Sequence, residues 1–149
     1  MVGCGSPDLD DNVTRDKVIA EAIDANSLKE KMDEGPINEN IRPLSYYAGN
    51  EVTPYTRWAK KMYDNGQIFS LEKYKDGKPM ILTTWHMNGQ KKKEQNYKLG
   101  WRDGLRTTWD SAGYKDSEGN YTDSTHAGTI TYNEDGTKSG SYRQKGRWD

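Results

Sequence analysis

The chain has 149 residues, 30% of them charged, a formal net charge of −1 and only 32% in the hydrophobic set. Seven Leu, seven Ile, four Val and one Phe are few for an aliphatic core, yet near-neutral charge, ten Tyr and five Trp differ from the usual signature of disorder. No run of about 18 apolar residues is present to cross a membrane as a helix, and a single Cys excludes both an intramolecular disulfide framework and a Cys-cluster zinc site.

The charge is unevenly spread. Residues 1–45 hold ten Asp/Glu, five Lys/Arg and no aromatic; residues 46–149 hold 13 Asp/Glu, 17 Lys/Arg and all sixteen aromatics. An acidic leader therefore precedes a mildly basic, aromatic-rich module. The leader opens with Met1-Val2-Gly3-Cys4-Gly5-Ser6. This resembles the end of a bacterial lipoprotein signal, in which small residues precede a Cys that receives lipid, with Pro7, Asp8, Asp10, Asp11 and Asn12 as a polar tether. The charged and apolar regions that precede such a motif are not in the sequence. Cys4 is then either a lipid-attachment site behind an upstream extension or an ordinary thiol.

Further along, Val18, Ile19, Ala22 and Ile23 share one face at helical spacing, which predicts a short helix over 14–25. Ser27 and Glu30 have the spacing of a capping box, which predicts a second helical turn ending near Gly35-Pro36. Helices this short are marginal alone, so the expected leader is a partly ordered tether.

From residue 62 onward one pattern recurs. Gly66, Gly89, Gly113 and Gly136 close turn-like segments and step by 23, 24 and 23 residues. Four residues before each stands Met62, Trp85, Trp109 or Tyr132; eight after the first three stands Tyr74, Tyr97 or Tyr121. Each unit reads as an aromatic strand, a turn, a polar strand ending in Tyr and a second turn, which is one β-hairpin. The predicted class is all-β, an antiparallel meander of hairpins behind a short helical or disordered leader.

Turn chemistry sets the expected register. A two-residue Asn-Gly loop puts Trp85 and Tyr97 on opposite faces. A three-residue loop, a type I turn closed by a left-handed Gly, shifts the parity. Ile81, Thr83, Trp85, Lys91, Lys93, Gln95 and Tyr97 then share a face, as do Leu105, Thr107, Trp109 and Tyr121, and Trp58, Met62, Ile68 and Tyr74. The second register predicts one aromatic stripe per unit, stacked against its neighbours. Lysines between the aromatics lay their stems on apolar surface and keep their charges wet.

The units Met62-Tyr63-Asp64-Asn65-Gly66-Gln67 with Tyr74-Lys75-Asp76-Gly77-Lys78, and Thr84-Trp85-His86-Met87-Asn88-Gly89-Gln90 with Tyr97-Lys98, resemble bacterial variants of the MORN repeat. Asp103-Gly104-Leu105 leading to Trp109 does too, and Thr53-Pro54-Tyr55-Thr56-Arg57-Trp58 resembles the start of a first repeat, with Arg57 where a glycine is usual. The resemblance covers roughly residues 44–146. Met80, Leu82 and Arg106 depart from the usual Gly and Trp residues, and the fourth unit is degenerate, as a cap can be. The resemblance implies hairpins in a long sheet and no catalytic residues. Many such bacterial proteins carry the label of a toxin–antitoxin antitoxin, and others are lipoproteins.

Chemistry-bearing motifs are sparse. His86 and His126 lie 40 residues apart, without neighbours at metal-ligand spacing. Asp116, Glu118, Asn120 and Asp123 have the alternation of a calcium loop, but Tyr121 stands where an EF-hand needs Gly; a polar hairpin loop is the simpler reading. No P-loop, dinucleotide fingerprint or G-x-S-x-G elbow occurs. No catalytic, cofactor or metal residue is assigned.

The surplus of positive charge in 46–149 is small and the pI is near 6.1, which argues against nucleic acid as the partner. The expected contact surface is Lys91, Lys92, Lys93 and Trp101, and the lysine run also suits anionic lipid. The sequence thus points to a non-enzymatic hairpin-repeat protein that binds an unknown protein partner, anchored in the cell envelope through Cys4. The alternative is a cytoplasmic, antitoxin-like binder whose acidic leader covers a basic partner surface.

Overall fold

The computed structural model describes residues 7–34, 36 and 39–143. Cys4 lies outside the described residues. The fold is all-β, an antiparallel meander of hairpins with one short helix near its N-terminus. The helix is α1 (Asn12–Glu21). The strands are β1 (Ile23–Asp24), β2 (Leu28–Met32), β3 (Leu44–Ala48), β4 (Trp58–Met62), β5 (Ile68–Lys75), β6 (Lys78–Trp85), β7 (Lys91–Lys98), β8 (Trp101–Trp109), β9 (Lys115–Thr122), β10 (Thr125–Tyr132) and β11 (Lys138–Arg143). Among the described residues, β4 to β11 pair in sequence order, β1 adds in parallel beside β4, and β2 and β3 form a separate two-stranded sheet.

The three-residue turn is present in all four hairpins at one end of the sheet. In the second, Gly89 N–H donates to His86 C=O at 2.9 Å and His86 N–H donates to Gln90 C=O at 2.8 Å. Gly89 closes this turn at φ +88°, a left-handed conformation that disfavours a side chain. Tyr63 to Gln67, Asp110 to Tyr114 and Asn133 to Thr137 repeat the same pair of bonds. The turns at the other end are two residues long, such as Asp76-Gly77 with φ +50° and +76°.

The predicted face assignment is wrong, because each hairpin carries a second irregularity. Trp85 pairs with Lys91 but Thr84 pairs with Lys93, so Lys92 is an extra residue. Phe69, Asp116 and Ser139 are extra in the same way, each three residues past the turn glycine. The bulge restores the parity that the turn had shifted. Trp58, Met62, Ile68, Thr83, Trp85, Lys91, Thr107, Trp109 and Tyr132 therefore share one face, and Tyr74, Lys93, Gln95, Tyr97 and Tyr121 share the other.

The described part of the leader is docked on the sheet. Helix α1 starts and stops earlier than predicted. Asp11 caps it, accepting from Thr14 N–H at 2.8 Å, and Lys60 Nζ donates to Ile19 C=O at 2.7 Å near its C-terminal end. Leu9, Val18 and Ala22 pack on Ile68, Leu71 and Trp85, the main apolar core. Ile23, expected on the helix, extends the sheet as β1. The expected capping-box helix is strand β2. Glu30 accepts from the Tyr46 hydroxyl at 2.7 Å and Lys31 sits 4.6 Å from the Tyr47 ring. Tyrosines on β3 thus supply partners that a local helix would forgo. Tyr46 packs on Tyr74 at 5.2 Å, in a second cluster with Tyr55 and Ala59. The leader accordingly wraps the first edge of the sheet, with α1 on the Trp face and β2–β3 at one end of the Tyr face.

Candidate functional site

Bulges and alternation sort the charged side chains between the two faces. On the Trp face, Lys91 and Lys115 are partnered by carboxylates. Lys91 pairs with Asp10 and Glu94 and lies 5.4 Å from the Trp109 ring. Lys115 bonds Glu118 at 2.7 Å and lies 5.5 Å from the Tyr132 ring, whose hydroxyl donates to Glu118. These contacts lower the Glu118 pKa, the Lys115 bond first and the Tyr132 bond second. Trp85 is 1% exposed and serves as core.

On the Tyr face the balance differs. Lys93 on β7 points to the same side as Arg106 and Arg102 on β8, and Arg42 stands at the far end of the strip. Lys92 projects from the bulge into the same groove. That groove holds about 450 Å³ and is lined by Phe69, Thr84, Lys92, Lys93, Arg106 and Thr108, among others. A second groove of about 410 Å³ is lined by Arg42, Tyr97, Gly100, Trp101, Arg102 and Ser124.

Among the described residues, Lys92, Lys93, Arg102 and Arg106 form no ion pair. Burial, then the charges of Arg106 and Lys92, push the Lys93 pKa down. Two carboxylates beside Lys93 and Arg106, Glu72 and Asp116, are both held. Glu72 accepts from the Tyr74 hydroxyl, and Asp116 accepts from Thr108 at 3.2 Å. Burial and then Glu72 raise the Tyr97 pKa, with Arg102, Arg42 and Arg106 acting the other way. Gln95 is 2% exposed beneath this strip, its Oε1 without a hydrogen-bond partner.

The expected contact surface is thus divided. Lys92 and Lys93 lie on the Tyr face, Lys91 lies on the opposite one, and Trp101 lines the second groove. The turn glycines Gly66, Gly89, Gly113 and Gly136 are structural. His86 Nε2 bonds Trp109 C=O at 2.9 Å across neighbouring hairpins, and His126 lies 5.0 Å from Tyr121. The stretch 116–123, expected as a loop, is mostly strand β9. Among the described residues no three His, Cys, Asp or Glu gather as a metal site.

Sequence reading missed Arg42, Arg102, Arg106 and Glu72, because only strand pairing shows which of them share a face. The bulge residues did leave a signal, the common spacing of Phe69, Lys92, Asp116 and Ser139 from their glycines. No family model, curated protein or solved structure matches the chain.

Proposed function

We propose that the chain is a non-enzymatic binding protein of the bacterial envelope, of the MORN-variant repeat type. It is anchored by lipid on Cys4 and presents the Tyr face of its sheet to a protein partner. The observation that carries the reading is charge segregation. Lys92, Lys93, Arg102 and Arg106 gather on one face without ion partners among the described residues, while the leader's Asp10 and Asp33 are spent on Lys91 and Lys78. The leader thus has less charge to offer a partner, which favours this reading over the antitoxin-like alternative. Glu72 and Asp116 are tied to the hydroxyls of Tyr74 and Thr108 and form no ion pair with the strip.

The test is affinity capture from bacterial membranes with the full chain, beside Lys93→Glu/Arg106→Glu and Lys115→Glu variants. The expected result is a partner held by the wild-type chain and by the Lys115 variant, and lost by the double variant. Capture of nothing by the wild type overturns the binding reading. Labelled-palmitate incorporation that survives Cys4→Ser overturns the anchor.

A further inference from the structure

We infer that the strip formed by Lys93, Arg106 and Arg102 recognises an extended acidic peptide segment of that partner, with a carboxylate at every second residue. This deepens the binding reading above and rests on it.

Lys93, Gln95 and Tyr97 are alternate residues of β7 and share the Tyr face. Arg106 is paired with Gln95 and Arg102 with Tyr97. The Cα positions of the three cations therefore stand at three successive levels along β7, each about 6.6 Å from the next, twice the rise of about 3.3 Å per residue, and the Arg102 and Arg106 side chains both reach Tyr121. An extended peptide lying along β7–β8 places its alternate side chains at that same interval. A helical segment presents side chains at one-turn steps of about 5.4 Å and falls out of phase over three contacts.

Charge supports the match. Lys93 is half-buried in the field of Arg106, Lys92 and Arg102, opposed by the held carboxylate of Glu72, with Asp116, also held, lining the same groove. An incoming carboxylate relieves that repulsion, and Arg106 and Arg102 can each grip one with two parallel N–H bonds. The aromatic rings are poorly placed for nucleobases. Tyr121 is covered by Arg102 at 5.1 Å and His126 at 5.0 Å, and Tyr97 is half-buried. A single strand of nucleic acid would need open ring faces for stacking.

The experiment titrates the full chain with a fluorescent peptide carrying Glu-Ser-Glu-Ser-Glu. Beside it stand a peptide of equal composition with three contiguous glutamates, and an oligothymidylate of equal charge. The alternating peptide is expected to bind best, Arg106→Gln to weaken it about tenfold, and Lys115→Gln to leave it unchanged. Carbodiimide coupling, which needs no variant, is expected to join the peptide to Lys93 or Lys92. Equal binding of both peptides, tighter binding of the oligothymidylate, insensitivity to Arg106→Gln or coupling only to Trp-face lysines overturns the inference. If the wild type still captures a membrane partner and Arg106→Gln keeps it, the inference fails while the binding reading stands.

Discussion

At the scale of single residues, two glycines show how one residue type serves two physical needs. Gly89 turns a hairpin at φ +88°, and a Cβ there would meet nothing within 4 Å. Gly77 also has positive φ, at +76°, but a Cβ there would lie 2.7 Å from Ser45 Cβ and 3.0 Å from Pro54 Cβ. Gly89→Ala pays only for the left-handed backbone, about 1 kcal/mol. Gly77→Ala adds a collision with the β3 segment and is expected to cost about 2–4 kcal/mol. Urea denaturation of the two variants checks the order, and equal midpoints would refute the close approach. Both glycines are visible as turn signals in the sequence, but only the packing of β3 onto the β5–β6 turn separates their roles.

At the scale of elements, the bulge decides which side chains meet. Lys92 is the extra residue between the pairs Trp85–Lys91 and Thr84–Lys93. Its deletion would move Lys93, Gln95 and Tyr97 to the Trp face, and Glu94 to the face it now avoids. The deletion variant is expected to lose its cooperative transition and near-ultraviolet circular dichroism, whereas Lys92→Ala, which keeps the bulge, is expected to retain both. A folded deletion variant with native spectra would show that the bulge is dispensable. The leader carries a similar lesson. Ser27 and Glu30 satisfy a local helix rule, yet Ser27 donates to Asp24 C=O at 2.6 Å and Glu30 bonds Tyr46 across the β2–β3 pair. A short helix gains little in water, so five ladder pairs with β3 outweigh the capping signal.

For the whole molecule, the distribution of burial predicts opposite responses to acid and alkali. Burial, then the bond to Glu30, pushes the Tyr46 pKa up to about 12, and burial also raises those of Tyr55, Tyr74 and Tyr97. The folded state favours the neutral phenols, so their contribution is complete below the unfolded value of about 10 and is lost as pH climbs through the folded values. Absorbance at the tyrosinate band should rise late, together with unfolding; ordinary titration of all ten tyrosines in a folded chain would refute this. Asp33 titrates in the other direction. Burial opposes its ionisation, but bonds from Lys78 and Ser45 and the Lys78 charge prevail, and its pKa is lowered. Its contribution is present above the unfolded value of about 3.9 and is lost as pH falls through the folded value. Asp33→Asn is expected to flatten the acid limb of a stability–pH curve.

The sequence by itself determined the hairpins, their order and their turns, because a left-handed glycine and an alternating strand are local requirements that residue types announce. It also pointed to a core built from aromatics, but Trp85 is buried among the aliphatic Leu9, Val18, Ala22, Ile68 and Leu71, the first three brought by the docked leader. Tertiary structure alone decided the faces. A one-residue bulge reverses every side chain beyond it, and it exists only through pairing with the neighbouring strand. That reversal parts Lys91 from Lys93, and strand pairing joins Lys93 to Arg106 and Arg102, residues distant in sequence. Docking likewise turned an acidic leader, too short and polar to fold alone, into the cover for one edge of the sheet. The near-neutral total charge thus conceals carboxylates held within the fold and a cationic strip that forms no ion pair among the described residues.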